Sequence, residues 1–163
     1  MNSKSILIIN GTGGHRYEMK RLLSHLKPGL VAKGISAVHL GEVIDDDLIV
    51  DSYHLIDVRH KNSKLKTVYM ALSSFTYCII NSIKIGRKYN ISAVLSTGPG
   101  LCILPSILMK LLFGCKVIYF ETGCMFYNNT FTGLIMSRVA DVFVVQNEEL
   151  LKVYPDSIYL GRL

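Results

Sequence analysis

Apolar residues along this chain follow two rhythms. Short runs of aliphatic residues bounded by turn residues read as buried strands. They fall at residues 5–10, 35–40, 92–96, 116–121 and 142–146, with 54–58 and 158–160 as further candidates. Between them the spacing becomes helical. Met19, Leu22, Leu23 and Leu26 define an amphipathic helix from Arg16 to about Lys27, with Pro28 and Gly29 as its stop signal. Helices are also expected over residues 65–89, over 101–113 with Gly114 as C-cap, and near 132–139. A short one, EELLKV, would be capped by Asn147 and stopped by Pro155. The stretch GEVIDDDLI reads as a polar connection holding a helical turn, and RHKNSK as a basic turn.

Strand and helix alternate throughout, with no repeat, low-complexity segment or dividing linker. This predicts one domain over residues 1–163, an α/β, Rossmann-like, doubly wound parallel sheet. In such a sheet ligands bind outside the carboxyl ends of the strands. Three unusual loops fall there: GTGGH after the first strand, STGPG after the strand at 92–96, and FETG after the strand at 116–121.

Composition narrows the partners. The 163 residues are 50% hydrophobic and only 18% charged, and 18 Lys and Arg against 12 Asp and Glu leave a net charge of +6. A basic, apolar chain suits phosphates or an anionic membrane surface. Nucleic acid is disfavoured, because no run of five basic residues and no nucleic-acid motif occurs. Cys78, Cys102, Cys115 and Cys124 form no C-x-x-C pair and sit in apolar settings, so they read as buried free thiols in a reducing compartment. The apolar run at 6–9 is too short for a signal peptide. Residues 67–83 are uncharged but include Ser73, Ser74, Thr76, Asn81 and Ser82, and 101–113 is short. Both read as core or membrane-facing helices, not spans.

In the first loop, Gly11, Gly13 and Gly14 permit a sharp turn and close backbone approach. The following helix aims its free N–H groups at them, which makes an anion site for phosphate or diphosphate. A dinucleotide fingerprint would need glycine at position 16, where Arg16 stands, and no G-K-[ST] follows for a P-loop. His15 lies at the helix start, where the dipole favours a neutral imidazole able to take a proton from a hydroxyl. Glu18, three residues on, could orient it or pair with it. His15 reads equally as a polar capping residue. Ser96, Thr97, Gly98, Pro99 and Gly100 offer hydroxyls and amides to a polar ligand, or only a turn. Glu121, at a strand end on the same side, is a second candidate base, or a solvated carboxylate. The other histidines, His25, His39, His54 and His60, have no metal-ligand spacing, and no carboxylate pair suggests a metal.

GTGGHRYEMKRLL, VLSTGPGLCILP, KVIYFETG, MSRVADVFVVQ and YPDSIYLGRL together, in order and over nearly the whole chain, resemble the family of asparagine-linked glycosylation protein fourteen. Its bacterial relatives act in capsule and exopolysaccharide synthesis. The layout is also similar to the N-terminal half of the peptidoglycan lipid-linked N-acetylglucosaminyltransferase, a GT-B enzyme. The resemblance implies the acceptor half of a glycosyltransferase as a separate chain, ending where a linker to a second Rossmann domain would begin. A donor-binding subunit would hold a UDP-sugar, of UDP-N-acetylglucosamine type, and this chain a polyprenyl-diphosphate-linked sugar. It would be inactive without that subunit, need no cofactor and no metal, and transfer the sugar with inversion. Gly11, Thr12, Gly13 and Gly14 would form the acceptor-side loop, Ser96 to Gly100 the second loop, and His15 or Glu121 the catalytic base. Eukaryotic members carry an N-terminal anchor, whereas this chain starts at its first strand. The expected location is therefore peripheral, on the cytoplasmic face, through the helices at 67–83 and 101–113 and Lys84, Arg87, Lys88, Lys110 and Lys116. The rivals are a non-catalytic, membrane-recruiting activator and a nucleotide-cofactor enzyme on the same fold.

Overall fold

A computed structural model describes residues 4–54 and 64–163. Among them, seven strands form one parallel sheet: β1 (Lys4–Asn10), β2 (Ser36–Gly41), β3 (Ile49–His54), β4 (Asn90–Ser96), β5 (Lys116–Phe120), β6 (Val142–Val145) and β7 (Ile158–Tyr159). Their order is β3-β2-β1-β4-β5-β6-β7, so the chain reverses direction between β1 and β4. That switch point opens a crevice at the carboxyl ends of the two strands. The expected Rossmann-like, doubly wound fold is the one observed.

The strands' two faces bury separate cores. Leu7, Ile9, Val38, Leu40, Val117 and Phe143 pack with Ile85 of α2 (Lys64–Lys88), Met109 of α3 (Ile103–Phe113) and Met136 of α4 (Phe131–Val139). On the other face Ile6, Ile8, Ala37 and Val144 pack with Met19, Leu22 and Leu23 of α1 (Gly14–Ala32), and Leu163 joins them. Gly114 ends α3 in the left-handed conformation, as its sequence position predicts.

Several expectations are corrected. α1 does not stop at Pro28 but continues to Ala32. Proline removes a bond to the Ser24 carbonyl, but this stretch of the helix faces solvent, where water can serve that oxygen. Leu30 meanwhile packs on the core, and Gly34, at φ 62°, makes the actual stop. The third strand lies at Ile49–His54, within and beyond the supposed connection, where Asp46 holds a tight turn through the Leu48 amide. Residues 55–58 and the basic turn after them lie outside the described residues. Asn147 does not cap the short helix, which is a 3-10 segment over Glu148–Lys152; its amide donates instead to the Gly123 and Met125 carbonyls. Cys78, Cys102 and Cys115 are buried, but Cys124 is exposed on the loop after β5.

From residue 74 onward, α2 inverts the usual polarity. Ser74, Asn81 and Ser82 face inward, whereas Phe75 and Ile80 are more than half exposed. Asn81 and Ser82 satisfy themselves on the carbonyls of Tyr77 and Cys78, one turn back. Leu111 and Leu112 of α3 are likewise exposed. Among the described residues no helix is long and apolar enough to cross a membrane.

Candidate functional site

The glycine loop and the STGPG loop meet across the switch point. Nδ1 of His15 lies 2.7 Å from the Thr97 carbonyl oxygen, and the Thr97 hydroxyl donates to the His15 carbonyl at 2.9 Å. A carbonyl only accepts, so Nδ1 carries the hydrogen and Nε2 is the basic nitrogen of the neutral ring. The side chain is 31% exposed. The ring lies against Gly98, whose φ is 90°; a Cβ there would come within 3.0 Å of His15 Cε1. Gly11 is equally constrained, because a Cβ on it would overlap the Pro99 ring. Gly98 donates to the buried Ser96 hydroxyl at 3.1 Å. Thr12, Gly13 and Gly14 are exposed at the mouth, and no side chain caps α1, whose first-turn amides face the loop.

The third loop is tied in from below. Glu18, on α1 and 17% exposed, accepts from the Thr122 hydroxyl at 3.0 Å and the Gly123 amide at 2.9 Å. Its other oxygen, Oε2, is 3.8 Å from His15 Nδ1. Glu121 is placed differently from a solvated strand end: it is only 1% exposed. Its Oε1 accepts from the Thr122 amide at 3.0 Å, and Oε2 from the hydroxyls of Thr130 at 3.0 Å and Tyr154 at 3.4 Å. Burial pushes this carboxyl above the ordinary glutamate range, against the opposing pull of those three donors. Burial also pushes up the Tyr154 and Tyr119 phenols, with the Glu121 charge adding to both.

Two further polar residues brace the floor, and sequence reasoning passed over them. Asn10, fully buried, donates to the carbonyls of Gly11 and Glu42 at 3.1 and 3.0 Å. Its Oδ1 lies 2.5 Å from Nε2 of His39, which is also fully buried. Burial lowers the His39 ring to about 4, so it stays neutral and acts as a fixed donor to Asn10. Gly41 is required beside them, since a Cβ would fall on the Asn10 carbonyl. Only the polarity of Asn10 and His39 inside apolar strands signalled them. Among the described residues no cluster of three or more His, Cys, Asp and Glu side chains could hold a metal ion.

Comparison with known proteins identifies the family of the sequence. Residues 6–163 match the model of the oligosaccharide biosynthesis protein Alg14 like family. The chain belongs to that family. A curated member, the UDP-N-acetylglucosamine transferase subunit ALG14 of Kluyveromyces lactis, is 29% identical over all of this chain and 80% of its own length. Among solved structures, Acinetobacter baumannii MurG superposes with a TM-score of 0.57 at 18% identity, over 88% of this chain and 41% of MurG. Rickettsia bellii UDP-N-acetylglucosamine 2-epimerase gives 0.63 at 16% identity, over 99% of this chain and 45% of its own. The fold is thus shared with a GT-B glycosyltransferase, and the chain spans less than half of either solved protein.

Proposed function

We propose that this chain is the acceptor-binding subunit of a UDP-N-acetylglucosamine transferase of lipid-linked oligosaccharide synthesis. It works with a separate donor-binding subunit. The observation that carries the reading is the His15–Thr97 bond at the switch point. It leaves a one-third exposed imidazole whose basic Nε2 has no partner among the described residues, beside an uncapped helix N-terminus. The membership in a family whose curated relatives are named transferase subunits supports it. The lipid diphosphate rests on the amides of Gly13 and Gly14 at the start of α1. Nε2 of His15 takes the proton of the acceptor hydroxyl as its oxygen attacks the anomeric carbon from the face opposite the leaving group. The bond to the nucleoside diphosphate breaks, and UDP departs with that electron pair. Glu121, sealed below, holds the loop that walls the crevice and does not exchange protons with substrate.

The inverted polarity of α2 supports a peripheral membrane position. An apolar groove of about 380 Å³, lined by Phe75, Cys78, Leu101, Ile103, Leu104 and Ile107, begins at Gly100 of the second loop. A neighbouring groove carries Lys110 and Arg138 beside Leu111, the pairing of cation and apolar surface that anionic lipid favours.

Purification from the native membrane fraction tests the reading. Recovery of a smaller donor-binding chain is expected, and the pair should transfer N-acetylglucosamine from its UDP form to a polyprenyl-diphosphate sugar. A partner-free, soluble chain would overturn it. Transfer that survives His15→Ala would leave the chain as a recruiting subunit only.

A further inference from the structure

Glu18 presents its two oxygens to two different tasks, and only one task is complete. Oε1 is fully engaged by the Thr122 hydroxyl and the Gly123 amide. Oε2 is buried and has no hydrogen-bond partner among the described residues. A buried carboxylate oxygen without a donor is costly, and such an orphan calls for an explanation. The His15 ring lies close by, 3.8 Å from Oε2 to Nδ1, and the Tyr119 phenol and the Glu121 carboxyl also face this corner. That Nδ1 already gives its hydrogen to Thr97, so in the neutral ring Oε2 receives only a weak dipole. Once Nε2 gains a proton the ring is a cation, and the same oxygen becomes its counter-ion without any atom having to move far. The tether to Thr122 and Gly123 keeps it from swinging out to water.

We infer that Glu18 is a positioning residue that stabilises the protonated state of His15 and couples it to the loop after β5. It touches no substrate. This rests on the reading of His15 as the proton acceptor, because a fixed charge aimed at where charge develops favours the state reached in the reaction over the ground state. The arrangement gives a strand-end loop and a helix side chain one shared anchor, so that the wall of the crevice and the basicity of the ring are set together.

Glu18→Gln is the informative change, being isosteric. Its amide oxygen can still accept from Thr122 and Gly123, while the charge facing His15 is gone. Titration of the His15 ring by NMR in the full chain reads the effect without any activity assay. Removing the anion disfavours the cation, so the midpoint should fall by about one pH unit relative to wild type. Thr122→Val, which cuts one of the two tethers but keeps the charge, should lower that midpoint in the same direction but by less than Glu18→Gln does. In the reconstituted pair, the acid limb of kcat/KM should move to lower pH in Glu18→Gln, with a plateau about tenfold lower and KM little changed. A ring titration identical in wild type and Glu18→Gln overturns the inference, whatever happens to activity. Unimpaired transfer by His15→Ala instead removes the base reading, and the NMR arm separates the two failures.

Discussion

His15 and Glu121 follow the carboxyl ends of β1 and β5, which flank β4 in the sheet, yet the fold treats them in opposite ways. His15 is a third exposed, held by one bond through Nδ1, with the other nitrogen left open. Glu121 is 1% exposed, and each of its oxygens is occupied by donors of its own scaffold. Strand-end position alone thus does not decide what a polar side chain can reach. What differs is what the chain does next: the glycine loop turns away and leaves room, whereas the loop after β5 returns Thr130, and Gly133 of α4 and Tyr154, beyond the 3-10 segment, pack against the carboxylate.

If that contrast is right, removing the two side chains should damage different properties. His15→Ala should cost at least about 100-fold in transfer by the reconstituted pair, the usual size of a general-base loss. Its urea midpoint should barely move, because a partly exposed ring with one bond contributes little. Glu121→Ala should do the reverse. It strands the Thr122 amide and the Thr130 and Tyr154 hydroxyls, a loss of about 2–3 kcal/mol of stability by denaturant unfolding. Glu121→Gln keeps an oxygen to accept from the Thr122 amide and turns the other into an NH2 that the Thr130 and Tyr154 hydroxyls can accept, so it should remain within about 1 kcal/mol of wild type with near-normal transfer. A 100-fold loss in Glu121→Gln would erase the distinction and restore the carboxylate as a second catalytic group.

The glycines that touch each residue sharpen the same contrast at smaller scale. Gly98→Ala strains a backbone at φ 90° and crowds the His15 ring. About a tenfold fall in kcat is expected, with about 1–2 kcal/mol of stability lost to strain. In Gly133→Ala the new methyl would overlap Glu121 Oε2 and the Tyr154 hydroxyl. That overpacking should cost about 1–3 kcal/mol with transfer per folded molecule retained. Paired kinetic and unfolding measurements on both variants check the division.

Much of this was legible in the chain because buried parallel strands announce themselves as apolar runs and crevice loops as glycine clusters. ILII and VLS are unambiguous in that sense, and so is the αL stop at Gly114. Ile49–His54 was not, because an edge strand needs only one buried side. Its polar Asp51 is fixed by Tyr53, Lys88 and Tyr89, the last two 37 or more residues away. α1 outran Pro28 because tertiary packing of Leu30 outweighs a local stop signal. The site divided the same way. GTGGH and Glu121 could be singled out by position. The sealing of Glu121 could not, since Thr130, Gly133 and Tyr154 reach it from 9 to 33 residues downstream. Nor could the Asn10–His39 brace, which joins two strands across 29 residues.

The smallest expected effect is also the most direct test of the seal, and it needs no substrate. Burial raises the folded-state pKa of Glu121 above its ordinary value of 4.5. The folded protein therefore binds this proton more tightly than the unfolded chain does. The associated stabilisation is complete below pH 4.5 and is lost as pH rises through the folded-state value. Other groups titrate in the same range, including the buried His39, whose lowered value works in the opposite direction. The difference between wild type and Glu121→Gln cancels them. Urea unfolding of both proteins from pH 4 to 8 should show wild type losing stability relative to Glu121→Gln as pH rises. A flat difference for Glu121 would mean that water reaches the carboxylate, and with it the acceptor.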